Sequence, residues 1–242
     1  MIAIKSKIKV SGIDVQIVRK GIKNLHLSVY PPNGNVRVSV PEHVTNDNVR
    51  MAVINKLGWI KRQQRDFENQ PRQSKRKYVS GEGHYFLGRM YRFELIEHDG
   101  KHEIKMMRSG KIKMFVKPKT TIKKKEILLN TWYREQLKKM IPELLDKWQP
   151  IVKKKANDWG VKKMKTKWGS CNVEKKRVWL NLELAKKPKA CLEYILVHEL
   201  IHLHERHHNE HFKTLLDKFM PNWRTHRDTL NKSPLAHEEW AY

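Results

Sequence analysis

Two histidines and a glutamate in the C-terminal part of the sequence have the spacing of a metal site. They lie in the segment His198-Glu199-Leu200-Ile201-His202. A helix places residues four apart on the same face, so both imidazoles can reach one ion. Glu199 lies about 100 degrees around that helix, where it can act on a metal-activated water without being a ligand. The pattern predicts metal-dependent hydrolysis with Glu199 as the general base.

A second copy of this pattern follows, as His204-Glu205-Arg206-His207-His208. The first copy lies in the run ACLEYILVHELIHL, whose apolar side chains can pack it into a core. The second copy carries Arg206 and His207 in its middle positions, where the apolar pattern ends. Metal ligands need rotamers that a rigid element holds in place, so the first copy is predicted to be the site.

A catalytic zinc usually takes three protein ligands and leaves a fourth position for water, so a third ligand is needed. His208, which follows the first pattern, is the natural choice. One continuous helix would turn it about 240 degrees away from His202, so the chain must turn near residues 205–207. His207 could make this turn in the left-handed conformation. The pattern thus predicts one Zn²⁺ per chain. The competing histidines, expected to be surface residues or hydrogen-bond donors, are His204, His207 and His211.

A short segment before the metal pattern contains further candidate site residues, in the sequence Trp168-Gly169-Ser170-Cys171. Gly169 would allow a strand to approach the helix closely, and Trp168 would cover a cleft. The alternative role of these two residues is packing. This strand, with Ser170 and Cys171, could bind an extended peptide by edge pairing. Cys171 itself is expected to be a small buried thiol rather than a nucleophile.

Several motifs together resemble the YgjP-like group of SprT-related zinc metallopeptidases. Besides KWGSC at 167–171, they are VWLN at 178–181, YILVHELIHL at 194–203, HNEHF at 208–212 and SPLAHEEW at 233–240. The resemblance implies a compact α+β metallopeptidase core with His198, His202 and His208 on zinc and Glu199 catalytic. It also implies proteolysis or, in one branch, hydrolysis of uridine triphosphate (UTP).

The chain is strongly basic, with a formal net charge of +26. Such an excess attracts polyanions over long range, and lysines contact phosphates without reading base edges. The lysine triplets Lys123, Lys124, Lys125 and Lys153, Lys154, Lys155 are therefore candidates for sequence-independent DNA or RNA binding. The alternative is a solvated surface that keeps the protein soluble.

The order of the predicted elements indicates an α+β fold, with a β-rich N-terminal part followed by a zincin-like core that contains the active-site helix. Short alternating runs over 2–40 and 85–117 predict strands, and Thr45 or Asn46 is predicted to cap a helix through about Phe67. The predicted domains are a basic β-rich domain, 1–119, and a metallopeptidase-like domain, 120–242. No internal repeat is evident.

A long helix is predicted to start at Thr120 or Thr121, with Pro142 and Pro150 kinking or dividing it. The sequence has no apolar run that could span a membrane and no secretory signal at its start, which predicts a cytoplasmic protein without a membrane partner. Its two cysteines, Cys171 and Cys191, are expected to be reduced, with at least one of them buried.

Three functions are compatible with these patterns. The favoured one is a zinc metallopeptidase acting on a peptide or protein. A metal-dependent nucleoside triphosphate (UTP) pyrophosphohydrolase is the first alternative; with no GxxxxGK[ST] loop, only metal-centred phosphate chemistry would serve it. The second alternative is a nucleic-acid-associated accessory protein. The sequence indicates no oligomeric state.

Overall fold

The structure is a computed structural model that describes residues 4–30, 33–69, 76–165 and 167–233. It is mixed α+β, as predicted, and has two compact units, residues 1–72 and residues 73–238. In the described ranges, no helix is long and apolar enough to cross a membrane.

The smaller unit is a four-stranded sheet packed against two helices. Its strands follow the order β1-β2-β4-β3, with the β2–β4 pair parallel and the outer pairs antiparallel. Alternate residues of β4 are buried and share a core with the helices. Thr45 caps the first helix. The helical conformation is interrupted at Lys56, so two helices are present instead of the single helix predicted. The elements are β1 Ile4–Val10, β2 Ile13–Arg19, β3 His26–Tyr30, β4 Asn35–Val40, α1 Asn46–Asn55 and α2 Leu57–Asn69.

The larger unit contains a second four-stranded sheet, a three-stranded sheet and four α-helices. A single core joins all of them. The second sheet and the long helix comprise β5 Gly83–Phe86, β6 Arg89–Glu97, β7 Glu103–Met107, β8 Lys111–Val116 and α3 Ile122–Val152. The remainder comprises β9 Asp158–Lys162, β10 Gly169–Asn172, β11 Arg177–Asn181, the 3-10 helix η1 Leu182–Lys186, α4 Lys189–Ile201, α5 Glu210–Phe219 and α6 Trp223–Lys232.

The two four-stranded sheets have the same topology, which the sequence did not reveal. The second sheet has the order β5-β6-β8-β7, again with a parallel central pair and antiparallel outer pairs. Both first hairpins turn through two residues of positive φ, Ser11-Gly12 and Leu87-Gly88. Thr45 and Thr121 cap the helix after each sheet, at the same spacing from those turns. The chain therefore contains two copies of a ββββα arrangement.

The boundary between the two units corrects the predicted division at residues 119 and 120. The second sheet belongs to the larger unit because Phe86 and Phe93 share one core with α3. Tyr133 of α3 also donates a hydrogen bond from its hydroxyl to the carbonyl of Tyr85, at 2.7 Å. The larger unit thus begins before β5 rather than at α3.

Helix α3 runs unbroken through both prolines that were predicted to kink or divide it. Proline inside a helix costs about 3 kcal/mol, whereas burying one large apolar side chain contributes about 1.5–3 kcal/mol. Eight residues of α3 are buried, so packing outweighs the missing hydrogen bonds. They are Leu129, Tyr133, Leu137, Ile141, Leu144, Leu145, Trp148 and Val152.

The two equivalent hairpin turns differ in their surroundings. The N–H groups of Leu87 and Gly88 donate to the carbonyls of Ala185 and Lys186 in η1, at 2.9 and 3.3 Å. A Cβ on Gly88 would lie 2.8 Å from Pro188, directly before α4. Among the described residues, and apart from Gly12 and its two chain neighbours, no atom lies within 4 Å of a Cβ built on Gly12. The Leu87-Gly88 turn of the second ββββα copy thus supports the start of α4.

We expect Gly88→Ala to destabilise its unit more than Gly12→Ala destabilises the other. Both substitutions place a side chain at positive φ, at a cost of roughly 1–2 kcal/mol, and only Gly88→Ala adds an overpacking cost of about 1–3 kcal/mol against Pro188. Hydrogen–deuterium exchange reports the two units separately. Equal losses of protection in the two variants would contradict the bracing role of the Gly88 turn.

Candidate metal centre

Helix α4 runs through the interior of the larger unit. It carries the first copy of the metal-binding pattern, His198-Glu199-Leu200-Ile201-His202, abbreviated HExxH. Most of its residues are apolar and buried, which fixes the positions of its few polar side chains. Glu199 is 4% exposed, and His198 is half-buried at the edge of the core. The helix ends at Ile201, with His202 as its C-cap. The helix therefore presents His198 and Glu199 from a rigid, packed element.

The chain turns after His202 as the spacing of the histidines required. Asn209 caps the following helix, α5, by accepting a hydrogen bond from the N–H of Phe212 at 2.9 Å. None of the residues between α4 and α5 has a positive φ, so His207 does not make the turn in the left-handed conformation. Instead, the carboxylate of Glu205 accepts from the N–H of His207 at 2.9 Å, which holds the turn.

This turn brings His208 against His198 and His202. Candidate ligand atoms of the three side chains all lie within 4.8 Å of one another. The Nε2 atoms of His198 and His208 are 2.9 Å apart. The ring of Phe212 lies beneath the cluster, with its centroid 4.8 to 4.9 Å from the centroid of each imidazole. Phe212 is 1% exposed, so it forms a buried support for all three rings.

The protonation of the three histidines suits metal binding. Burial lowers the pKa of His198 to about 3, with a further contribution from His202 and His208, and burial also lowers the pKa of His202 and His208. Neutral imidazole is the form that binds metal. Nδ1 of His202 lies 3.1 Å from the carbonyl oxygen of Glu205, which leaves Nε2 for the centre of the cluster. Three neutral nitrogen ligands fit a divalent ion such as zinc.

Glu199 lies beside this cluster, below the strand β10. Burial raises the pKa of its carboxyl group to about 8, although Lys167 opposes the effect. Its Oε2 atom is buried with no hydrogen-bond partner among the described residues. A Cβ on Gly169 would lie 2.5 Å from Oε1 of Glu199, so only glycine leaves room for this carboxyl group. An unpartnered carboxyl group at this position is suited to a positive ion held by the histidines.

The loop before β10 is held by Asn181. This residue caps η1, accepting from the N–H of Glu183 at 3.1 Å. Its amide also donates to the carbonyls of Met164 and Lys167, at 2.9 and 2.7 Å. The carbonyl of Trp168 accepts from the backbone N–H of Asn181 at 2.9 Å. Asn181 thereby positions the segment that leads to Gly169.

A cleft of about 710 Å³ lies over Glu199 and the histidines. The candidate substrate-binding residues Trp168, Gly169, Ser170 and Cys171 all line it, on the side of β10. Burial raises the pKa of the Cys171 thiol to about 11, which does not favour a nucleophilic thiolate. Cys171 and Cys191 are both free, and Cys191 is buried as expected. Other residues that line the cleft, among them Tyr194, Arg206 and Arg227, were not predicted from the sequence.

Among the described residues, His204, His207 and His211 are not members of the metal cluster, and the lysine triplets lie at the two ends of α3. Nε2 of His204 is 2.7 Å from the carbonyl oxygen of Val152, and its ring stacks on that of Phe219. The triplet Lys123–Lys125 lies in the first turn of α3, and Lys153–Lys155 directly follows its last residue. At about 1.5 Å per residue, the 31 residues of α3 place the triplets roughly 45 Å apart. They therefore do not form one compact surface.

The helix, the three histidines and the buried glutamate define a site of the metallopeptidase type. The profile of the YgjP-like metallopeptidase domain matches residues 23–233. The chain therefore belongs to the YgjP-like family, as its motifs predicted. Of those motifs, the part of the last one from Pro234 to Trp240 lies outside the described residues. The family implies a divalent metal ion and makes the chain a metal-dependent hydrolase.

The solved structures similar to this chain include one described as the metallopeptidase zymogen of Pyrococcus abyssi abylysin, with 19% sequence identity and a TM-score of 0.35. The similarity covers 37% of this chain and 90% of that chain. No curated protein matches the chain.

We expect Gly169→Ala to displace Glu199 and lower hydrolytic activity at least about tenfold while metal binding is kept, because the added methyl group overlaps the carboxyl group. Gly160→Ala is the matched control. Gly160 lies in the same sheet, and its Cβ would lie 2.4 Å from the Trp179 ring instead. Activity per folded molecule and metal content are measured for both variants. Equal losses of activity would show that Gly169 has only a general packing role.

Proposed function

We propose that this chain is a zinc-dependent peptidase in which His198, His202 and His208 hold one zinc ion and Glu199 is the general base. The observation that carries the proposal is the position of Glu199. Its carboxyl group is buried next to the three imidazoles and faces a cleft bordered by an edge strand. These are the parts that hydrolysis of an extended peptide requires.

The three histidines would hold the ion in a fixed orientation. Phe212 supports their rings from below, and the Glu205 carbonyl orients the imidazole of His202. Ligands fixed in this way need little reorganisation when an ion binds. Zinc held by these residues would supply Lewis acidity and would lower the pKa of a water molecule towards about 7.

Glu199 would move the proton during the reaction. Its pKa near 8 means that it needs a neighbouring positive charge to be ionised at neutral pH. Once ionised, its carboxylate accepts a proton from the attacking water. The buried carboxyl group can then hold that proton and deliver it to the nitrogen of the departing amine. Gly169 keeps this carboxyl group in place during both transfers.

The strand β10 would bind the substrate backbone. It is the edge strand of the order β10-β11-β9, so in the described parts of the chain only β11 pairs with it. An extended peptide can add to such an edge through main-chain hydrogen bonds. The cleft along this edge lies over α4 and the histidines. This arrangement favours a peptide over a nucleotide as the substrate.

We expect the purified protein to contain about one zinc per chain, and we expect His198→Ala, His202→Ala or His208→Ala each to remove most of it. His204→Ala is the control, because His204 bonds to the Val152 carbonyl outside the cluster. Elemental analysis after dialysis gives the zinc content. Full zinc in His208→Ala together with its loss in His204→Ala would assign the third ligand to His204.

We expect Glu199→Gln to keep zinc and the fold but to lose hydrolysis by roughly a hundredfold or more, because an amide cannot accept the proton. Zinc-loaded wild type and variant are incubated separately with an unfolded protein, a peptide mixture and UTP. Cleavage of the first two by the wild type alone supports the proposal. Hydrolysis of UTP alone would assign the site to nucleotides, and an unchanged rate in the variant would remove Glu199 as the base.

A further inference from the structure

Helix α6 lines the same cleft as β10. Arg227, Leu230 and Asn231 of this helix line the cleft, while Leu230 is also part of the core. A substrate paired with β10 would therefore also lie near the residues that α6 presents.

Arg227 is held in a defined position on this helix. Its guanidinium carbon lies 5.0 Å from the centroid of the Trp223 ring. Its Nε and Nη2 atoms each donate to Oδ1 of Asp228 at 3.2 Å. Among the described residues, its Nη1 atom has no hydrogen-bond partner. The guanidinium group is thus oriented but still has donors for a ligand.

Arg227 also lies close to the candidate metal centre. It lies over the Trp223 ring, which stacks in turn on the ring of Tyr194, with their centroids 6.3 Å apart. The Tyr194 ring is in edge contact with His198, with their centroids 6.0 Å apart. Arg227 and His198 both line the cleft, so Arg227 would face a substrate residue near the bond above His198.

The remaining charges along the cleft also favour an anionic substrate. Arg206 and Lys167 line it, and Arg206 lies in the turn between His202 and His208. Apart from the catalytic candidate Glu199, Glu174 is the only acidic residue among the described residues that line it. Guanidinium groups match carboxylates in a planar, bidentate geometry that lysine does not offer.

We propose that Arg227 binds the carboxylate of an aspartate or glutamate side chain in the peptide, so that this peptidase selects sites with an acidic residue near the scissile bond. The inference rests on the proposed function, because it assigns a subsite of the same cleft. A bond between charged groups discriminates strongly against an uncharged analogue, which leaves the arginine unpaired.

The test compares pairs of peptides that differ at a single position, with Asp against Asn or Glu against Gln. Each position around a cleaved bond is tested in turn. We expect zinc-loaded wild type to cleave the acidic peptide with a kcat/KM roughly tenfold to a hundredfold higher at one position. Arg227→Gln removes this preference, mainly through KM. Arg227→Glu shifts the preference at that position to Lys or Arg. Zinc content and circular dichroism verify that each variant is folded.

Arg224→Gln is the matched control on the same helix. Arg224 also stacks on Trp223, with its guanidinium carbon 4.6 Å from the ring centroid, but it pairs with Asp217 and does not line the cleft. This variant should keep the wild-type preference. Equal cleavage of acidic and amide peptides by the wild type, or an unchanged preference in Arg227→Gln, overturns the acidic subsite alone. Hydrolysis of UTP without any peptide cleavage overturns the proposed function as well.

Discussion

The close approach of β10 to α4 is the constraint on which the rest of the site depends. The backbone of Gly169 lies so near Glu199 that a methyl group would overlap its carboxyl group. This contact keeps the carboxyl group below the strand and beside the histidines. It also joins the strand that would hold the substrate to the residue that would move the proton. Any rearrangement of β10 would therefore affect substrate binding and catalysis together.

Burial of α4 supplies the rigidity for this contact and carries an electrostatic cost. Glu199 is buried without a hydrogen bond to Oε2, and a buried carboxyl group of this kind costs on the order of 1–3 kcal/mol or more. The apolar residues of the helix offset it, since each large buried side chain contributes about 1.5–3 kcal/mol. The larger unit therefore tolerates an unsatisfied group where the chemistry is proposed. Such local conflicts are expected at functional sites.

The second ββββα copy supports this helix from its other end. Its hairpin turn bonds to η1 and packs on Pro188, the residue from which α4 starts. The first copy has an equivalent turn without such packing around Gly12. One arrangement thus serves in two ways, as the sheet of the smaller unit and as a brace within the larger one. This difference also explains why the unit boundary lies before β5.

The sequence by itself determined the residues of the candidate metal centre. The HExxH spacing, the apolar run around it and the position of His208 predicted a three-histidine cluster, because helical periodicity and the geometry of zinc leave few alternatives. The family also followed from local motifs such as KWGSC and HNEHF. Thr121 as a helix cap was likewise among the residues predicted from local chemistry.

Only the tertiary structure decided which distant segments meet these residues. Phe212 beneath the imidazoles, Asn181 on the loop before β10 and Arg227 in the cleft depend on packing between elements, and spacing along the chain does not encode that packing. The repeated sheet was hidden because topology and positive-φ turns, rather than residue identity, are what the two copies share. The lysine triplets looked like one basic feature until α3 placed them at opposite ends of a long rigid helix.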